Sequence, residues 1–516
     1  MTAISESDLL AAGAAWAETV IQQDPGNRGL EQWAVQGPMR QAVESLIKGD
    51  HIYLATGFFI LRAGQIETDG PPGAIVLADA LVKCGKKVTL IYDDHSDAIM
   101  QAGLAYGNSR IQTRPLPVRE TVDPEHFLEE DVTHLVALER PGKASDGKYY
   151  NFRGQDISDY HFSLDELFRR CPGDGVQTIG IGDGGNELGM GVIAHRVRDF
   201  HQLDRPFDSV VEADYCVCAG VSNWAGYAMA ALLSALYGQN VMLPPHTLWS
   251  LLQNIVSSGA VDGVSAKAEC TVDGLEASWE KDQYSRMYNL AALLTKEDRD
   301  WLPVSYPIGD SCLCWSLGDS ISEQTVKRVL ALYAAVKDSP VQEGIRDLVP
   351  SYKSLAVHFD PAAPALDALL EGIQNIVLEK MISFCCEEND PELEGKNVVL
   401  PVLYDGEDLP RVAELNNLTV DEVIRIHREG RYTVAMVGFK PHFPYLLGLD
   451  PRLETGRLES PRTRIPAGAV AIGGAQTGVY PEESPGGWNL IGMTDPELLK
   501  KILPGDLITI EEVKSL

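Results

Sequence analysis

Thr178-Ile179-Gly180-Ile181-Gly182-Asp183-Gly184-Gly185-Asn186-Glu187-Leu188-Gly189-Met190-Gly191 is the stretch around which the rest of the chain is organised. Val176 to Ile181 are mostly apolar and β-branched and read as a short buried strand. Six glycines between Gly180 and Gly191 then surround one Asp, one Asn and one Glu. From about Glu187, the spacing of Leu188, Met190, Val192 and Ile193 reads as a helix. A strand, a Gly-rich turn and a helix aim backbone N–H groups at an anion. Two carboxylates in this turn would repel a bare phosphate. The turn therefore suits a small substrate with both an amine and a carboxylate, or a metal. The plain alternative is a tight turn with solvated acids.

Outward from this stretch the chain alternates. His51 to Ala55, Lys87 to Tyr92, Thr133 to Leu138 and Ala213 to Cys218 also read as strands, with helix-length segments between several of them. This is the βαβ pattern of a doubly wound, mostly parallel sheet. Ligands in such folds bind beyond the carboxyl ends of the strands. Polar groups follow one strand after another at that place: Thr56, Glu67 with Asp69, Asp93-Asp94, Glu139-Arg140, Asp183 with Glu187, and Ser222-Asn223. So many at one topological position predict a polar pocket rather than solvated loops. Lys148 to Ile157 interrupts the alternation, and Arg153 within it suits bidentate capture of a carboxylate. The alternative is a surface Arg153 paired with Asp156.

Glu280 to Asp300 is polar and carries no strand pattern. A domain boundary is expected near residue 298, giving an α/β domain over 1–298. Helix-length segments continue at Thr325–Val336 and Pro364–Ile376. Beyond Val399, short strands, Gly and Pro dominate, as at Tyr432–Gly438, Ala469–Ile472 and Leu507–Ile510. A softer boundary near 385–398 separates a small α/β subdomain, 299–390, from a strand-rich one, 391–516.

The net charge of −31 argues against nucleic acid and anionic membranes as partners. No run approaches the ~18 apolar residues of a membrane span. The first residues lack the basic region of a signal peptide. Nine cysteines in 516 residues do not make a disulfide scaffold, and the pairs Cys216/Cys218 and Cys312/Cys314 lack zinc-site spacing. Reduced, buried thiols and a cytoplasmic location are expected.

Residues 10–290 resemble the C-terminal-type catalytic domain of the D-glutamate cyclase family. The resemblance rests on Thr56-Gly57-Phe58, Glu67-Thr68-Asp69-Gly70-Pro71-Pro72-Gly73, Glu139-Arg140-Pro141-Gly142, Tyr150-Asn151-Phe152-Arg153-Gly154 and the long Gly182 to Gly191 block. Residues 302–516 are similar to the B subunit of bacterial 5-oxoprolinase, also described as allophanate hydrolase subunit 1 or the KipI type. Here the matching residues include Val349-Pro350-Ser351-Tyr352-Lys353-Ser354, His358-Phe359-Asp360-Pro361 and the run from Pro466 to Trp488. The chain departs from that family at His442, where a Gly is usual; if that Gly needs φ > 0, His442 alters the loop. The second resemblance implies a small α/β subdomain followed by a cyclophilin-like β-barrel.

Together the resemblances imply a producer of 5-oxoproline beside a consumer of it. The first half would cyclise D-glutamate to 5-oxo-D-proline with loss of water. The second would be one component of an ATP-dependent 5-oxoprolinase, a subunit type that the resemblance implies works with subunits C and A; the sequence shows neither of these, nor a Walker-type Lys motif for ATP. The alternatives are a component of allophanate hydrolase, a ligand sensor carrying a KipI-type histidine-kinase inhibitor, and a binding protein without turnover.

For the chemistry, Asp183 or Glu187 is expected as acid/base, one kept protonated by the other's charge. Backbone N–H groups of Gly184, Gly185 and Asn186 are expected at the oxyanion. Arg153 would hold the α-carboxylate, with Thr56 and Asn223 as further hydrogen-bonding groups. Asp69 and Glu67 would face the ammonium or a metal. A divalent cation, Mn²⁺ or Mg²⁺, is expected on Asp69, Asp183 and Glu187. In the second half, His442, Arg464, Gln476, Tyr480, Ser484 and Trp488 are the pocket candidates.

Overall fold

The computed structural model describes residues 4–120, 122–123, 125–201, 207–318, 320–387, 391–392 and 395–515. The chain divides into two compact units, 1–298 and 299–516.

The first unit is built on six parallel strands: β1 (His51–Thr56), β2 (Lys87–Asp93), β3 (Gln112–Leu116), β4 (Val132–Leu138), β5 (Gln177–Gly182) and β6 (Tyr215–Cys218). Their order is 3-2-1-4-5-6, and every pairing is parallel. Every residue of β1 is buried, as expected of a central strand covered on both faces. The chain winds one way from β1 to β3 and the other way from β4 to β6. The strand order therefore reverses at β1 and β4, which opens a crevice beyond their carboxyl ends. The edge strand β3 is mostly exposed and contains Pro115, so it lacks the apolar run that marks its neighbours and is not legible in the sequence.

Two helices bring the crevice walls together. After helix α1 (Glu6–Ile21), helix α2 (Pro71–Lys83) and helix α3 (Ser222–Tyr237) approach so closely that a Cβ on Gly73 would lie 2.7 Å from Asn223 Cα, and one on Gly226 would lie 2.6 Å from Gly73 O. Glycine at both positions sets the start of α3 against the loop 68–73. Helix α4 (Ala277–Leu294) closes this unit, and its Glu280 accepts hydrogen bonds from Trp224 Nε1 (2.8 Å) and the Tyr227 hydroxyl (2.5 Å).

One sequence expectation is corrected here. The helix after the Gly-rich turn does not begin at Glu187; a 3₁₀ turn starts at Gly191 and the α-helix spans Ala194–His201. Gly189 has φ +96°, outside the helical region, and residues 187–190 make bridges to Pro141 and Glu212 instead.

The second unit begins with an antiparallel four-stranded sheet: β7 (Val304–Pro307), β8 (Cys312–Ser316), β9 (Ile345–Pro350) and β10 (Ser354–Phe359), in the order 9-10-8-7. Helices α5 (Glu323–Lys337) and α6 (Leu366–Cys386) accompany it. Part of the expected linker near 385–398 lies outside the described residues. A seven-stranded sheet follows, made of β11 (Asn397–Val402), β12 (Tyr432–Val437), β13 (Pro444–Leu447), β14 (Ala469–Ile472), β15 (Thr477–Val479), β16 (Asn489–Met493) and β17 (Leu507–Glu512). They lie in the order 11-17-12-13-15-14-16, antiparallel except for β11 with β17. The sheet curls until its edges meet: Leu403 and Met493 exchange two backbone hydrogen bonds of 2.8 Å. Leu400, Val434, Val470, Ile491 and Ile508 fill the interior.

Cys216, Cys218, Cys312 and Cys314 are buried free thiols. Among the described residues no helix is long and apolar enough to cross a membrane.

Candidate active site

The crevice beyond β1, β4 and β5 holds a cavity of about 400 Å³ whose walls include Arg28, Glu67, Glu139, Asp183, Glu187 and Asp273. Thr56, the last residue of β1, is fully buried, and among the described residues its hydroxyl has no hydrogen-bond partner. Glu139 follows β4 directly. It is a buried non-glycine residue at φ +49°, a sparsely populated conformation that persists where surrounding structure enforces it. Its carboxylate accepts a hydrogen bond of 2.6 Å from Ser222 Oγ.

Asp183 follows β5, where the Gly-rich turn begins. The turn is organised by the Glu187 side chain. Glu187 Oε1 accepts from the N–H of Gly184 at 2.8 Å and of Asp183 at 3.3 Å, while Oε2 accepts from the N–H of Gly185 at 2.7 Å. Gly185 has φ +89°, and a Cβ there would lie 2.7 Å from Val197. These amides therefore clasp the chain's own carboxylate. The Gly184 and Gly185 amides, expected at a substrate oxyanion, and the Glu187 carboxylate, expected as acid/base, bond to each other in this structure. Asn186 donates through Nδ2 to Tyr150 O (2.8 Å) and so ties down the 150–155 loop.

Asp69 and Asn223 join the two glycine-packed helices. Asp69 Oδ1 accepts from the N–H of Gly70 (2.9 Å) and Asn223 (2.8 Å), and Oδ2 from that of Ser222 (2.9 Å). A carboxylate from a distant loop thus caps the N-terminus of α3, where amides and helix dipole favour negative charge. Asn223 Oδ1 in turn accepts from Gly70 N (3.0 Å) and Gly73 N (2.7 Å), and its Nδ2 donates to Thr68 O (3.0 Å). Asn223 is thereby committed to the framework and does not face the cavity as a substrate ligand.

Arg28 was not among the candidates read from the sequence. Its guanidinium bridges Asp183, through Nη1, and Asp273, through Nη2 at 3.0 Å. Asp24 pins its backbone by accepting from the N–H of Arg28 (2.8 Å), Gly29 (2.7 Å) and Leu30 (3.1 Å). The only signal for it in the sequence is the Asp24-Pro25-Gly26-Asn27 turn preceding it; for Asp273 there is none. Arg153 is exposed at the cavity mouth, and Asp156 pairs with Lys148 (2.9 Å) rather than with it.

The charge balance inside is one-sided. Burial raises the carboxyls of Glu67, Asp69, Glu139 and Asp273 well above their ordinary range, and neighbouring carboxylates raise them further. Burial also raises Asp183, to about 8, although Arg28 opposes the shift. Such a site holds protons or takes up a cation. Asp69, Glu139 and Asp183 each offer an oxygen within 4.8 Å of the other two. Three hard oxygen donors beside the unpartnered Thr56 hydroxyl fit Mg²⁺ or Mn²⁺. Glu139 takes the place expected for Glu187 in this group.

In the second unit, Tyr480 and Trp488 are buried and pack edge-on against Phe443, with ring centroids 5.1 and 5.9 Å away. Ser484 is buried, and among the described residues its hydroxyl has no hydrogen-bond partner. The other candidates do not join them as a closed site. Gln476 is half-buried in the turn between β14 and β15, Arg464 is exposed and paired with Glu483 (2.6 Å), and His442 is exposed at φ +68°. The His442 backbone thus adopts the left-handed conformation that favours Gly.

Comparison with known proteins follows the same division. Residues 17–287 match the family described as D-glutamate cyclase-like, C-terminal, and residues 303–501 match the carboxyltransferase domain, subdomain C and D. The 5-oxoprolinase B subunit of Bacillus subtilis is 38% identical over 202 residues, covering 37% of this chain and 82% of that protein. The Haemophilus influenzae 5-oxoprolinase B subunit is 37% identical over 198 residues, 38% of this chain and 87% of that protein. The human mitochondrial D-glutamate cyclase is 36% identical over 241 residues, 43% of this chain but only 38% of the human protein. The chain belongs to the D-glutamate cyclase-like family through its first unit and to the family of 5-oxoprolinase B subunits through its second.

Proposed function

We propose that the first unit closes D-glutamate into 5-oxo-D-proline with release of water. The second unit is, on this reading, a component of an ATP-dependent 5-oxoprolinase that works only with the C and A subunits of that enzyme as partners. The observation that supports the first reading best is the acidic cavity at the point where the sheet's strand order reverses, on a chain related to a D-glutamate cyclase.

Glutamate carries both reacting groups, so a cavity that holds it folded removes most of the entropic barrier. Two of the three ammonium protons must leave nitrogen, and one carboxyl oxygen must leave carbon; together they make the water. Glu67 is the group for this transfer. It lines the cavity, its carboxyl is raised well above the ordinary range by burial and neighbouring acids, and among the described residues it carries no ion pair. Acting in turn on each of the two protons, it takes a proton from nitrogen and returns it to the departing oxygen, and so ends as it began. Arg153 at the mouth suits the α-carboxylate. Asp69, Glu139 and Asp183 would hold Mn²⁺ or Mg²⁺, which when bound would polarise the reacting carboxyl group.

NMR of the purified protein with D- and L-glutamate, with and without Mn²⁺ or Mg²⁺, tests this. 5-Oxoproline is expected from the D-form, with turnover falling by about 10²-fold or more in Glu67→Gln. Absence of product from folded, metal-supplied protein overturns the cyclase reading. ATP-dependent opening of 5-oxoproline by this chain alone overturns the partner requirement.

A further inference from the structure

Arg28 and the three-carboxylate group meet at one side chain. Asp183 is a partner of the guanidinium and also a member of the set Asp69, Glu139, Asp183 that fits a divalent cation. The guanidinium lies within electrostatic reach of Glu139 and Asp69 as well. Arg28 and a cation on those three carboxylates would therefore neutralise the same charges, and each would repel the other across a low-dielectric gap. We propose that Arg28 and a divalent cation compete for Asp183, and that the guanidinium displaced by the cation receives a carboxylate of the amino-dicarboxylic acid substrate. This rests on the cyclase reading of the cavity.

Three features fit this role. Asp24 fixes the Arg28 backbone, so exchange needs only side-chain rotation. The amides of Gly184 and Gly185 are committed to Glu187, which leaves Arg28 as the inner cationic donor facing the cavity. A guanidinium has five N–H donors, so its ion pairs do not exhaust it. Phe152, exposed at the cavity mouth, lies with its ring centroid 6.0 Å from the guanidinium and offers a face to the displaced group.

The test is Mn²⁺ binding to the full chain, followed by electron paramagnetic resonance with and without D-glutamate. In the wild type, Mn²⁺ and D-glutamate should each tighten the other's binding, by about tenfold. Arg28→Gln should bind Mn²⁺ alone about tenfold more tightly, lose that mutual tightening and bind D-glutamate more weakly. Arg28→Lys keeps the charge and guards against a folding defect. Its ammonium lacks the planar fork that meets Asp183 and Asp273 through separate nitrogens, so it should hold them less well, bind Mn²⁺ more tightly than the wild type and retain part of the coupling. Unchanged or weaker Mn²⁺ binding in both variants, or coupling that survives in Arg28→Gln, overturns the competition. Mn²⁺ and D-glutamate coupling as expected, but without 5-oxoproline, overturns the cyclase reading and supports the competition.

Discussion

Glu187→Gln tests the most unusual element of the site, a glycine-rich turn filled by its own carboxylate. In the wild type, one oxygen takes the Gly184 N–H at 2.8 Å and the other takes the Gly185 N–H at 2.7 Å, with Asp183 N–H more distant at 3.3 Å. Glutamine retains one acceptor oxygen and turns an NH₂ toward the other amide, donor against donor. A charged acceptor is worth about 1.5–3 kcal/mol per bond, and a buried donor left unmet costs about 1–3 kcal/mol. The sum is about 2.5–6 kcal/mol, which at about 1.6 °C per kcal/mol for this unit is roughly 4–10 °C of melting temperature. Differential scanning calorimetry gives the shift, and hydrogen exchange at the Gly184 and Gly185 amides localises it. Because the turn also places Asp183 against Arg28, cyclase turnover should fall with stability. A variant that melts within a degree of the wild type and protects those amides equally would refute the clasp.

Gly185→Ala should cost about 1–3 kcal/mol, because φ is +89° and the new Cβ would lie 2.7 Å from Val197; thermal unfolding measures it. In the second unit, burial pushes His427 down to about 3, with Tyr404 Oη 2.8 Å from Nδ1 and Thr477 Oγ1 3.0 Å from Nε2. A histidine depressed when folded takes its proton only on unfolding. The second unit should therefore lose about 2 kcal/mol between pH 7 and pH 5, as the unfolded histidine titrates near 6.5. Denaturant titration at both pH values checks this, and His427→Gln should remove that dependence. His442→Gly should gain about 0.5–1 kcal/mol, since it removes left-handed strain at an exposed position against a smaller entropic cost; a melting temperature that falls would show that His442 makes a compensating contact.

Local chemistry carried much of the reading. β1, β2, β4, β5 and β6 announce themselves as apolar runs ending in polar residues, and a buried parallel strand needs just that composition. The position of Asp183 at a strand end follows from the same pattern, as does Glu139, which marks the end of β4. The curled sheet of the second unit shows in its short strands and turn residues. β3 escapes because an exposed edge strand needs no apolar signature.

What the sequence by itself determined is the alternation of elements, the family of each half, and the strand ends from which a site would be built. Those depend on periodicity and on neighbours along the chain. Tertiary structure alone decided which groups meet there. It turned Glu187 inward onto amides of its own turn, gave Asp69 to the start of α3, and brought Arg28 and Asp273 from separate loops to Asp183. An amide's partner and a buried carboxyl's proton depend on distance and burial in three dimensions, and neither is written in the spacing of residues along the chain.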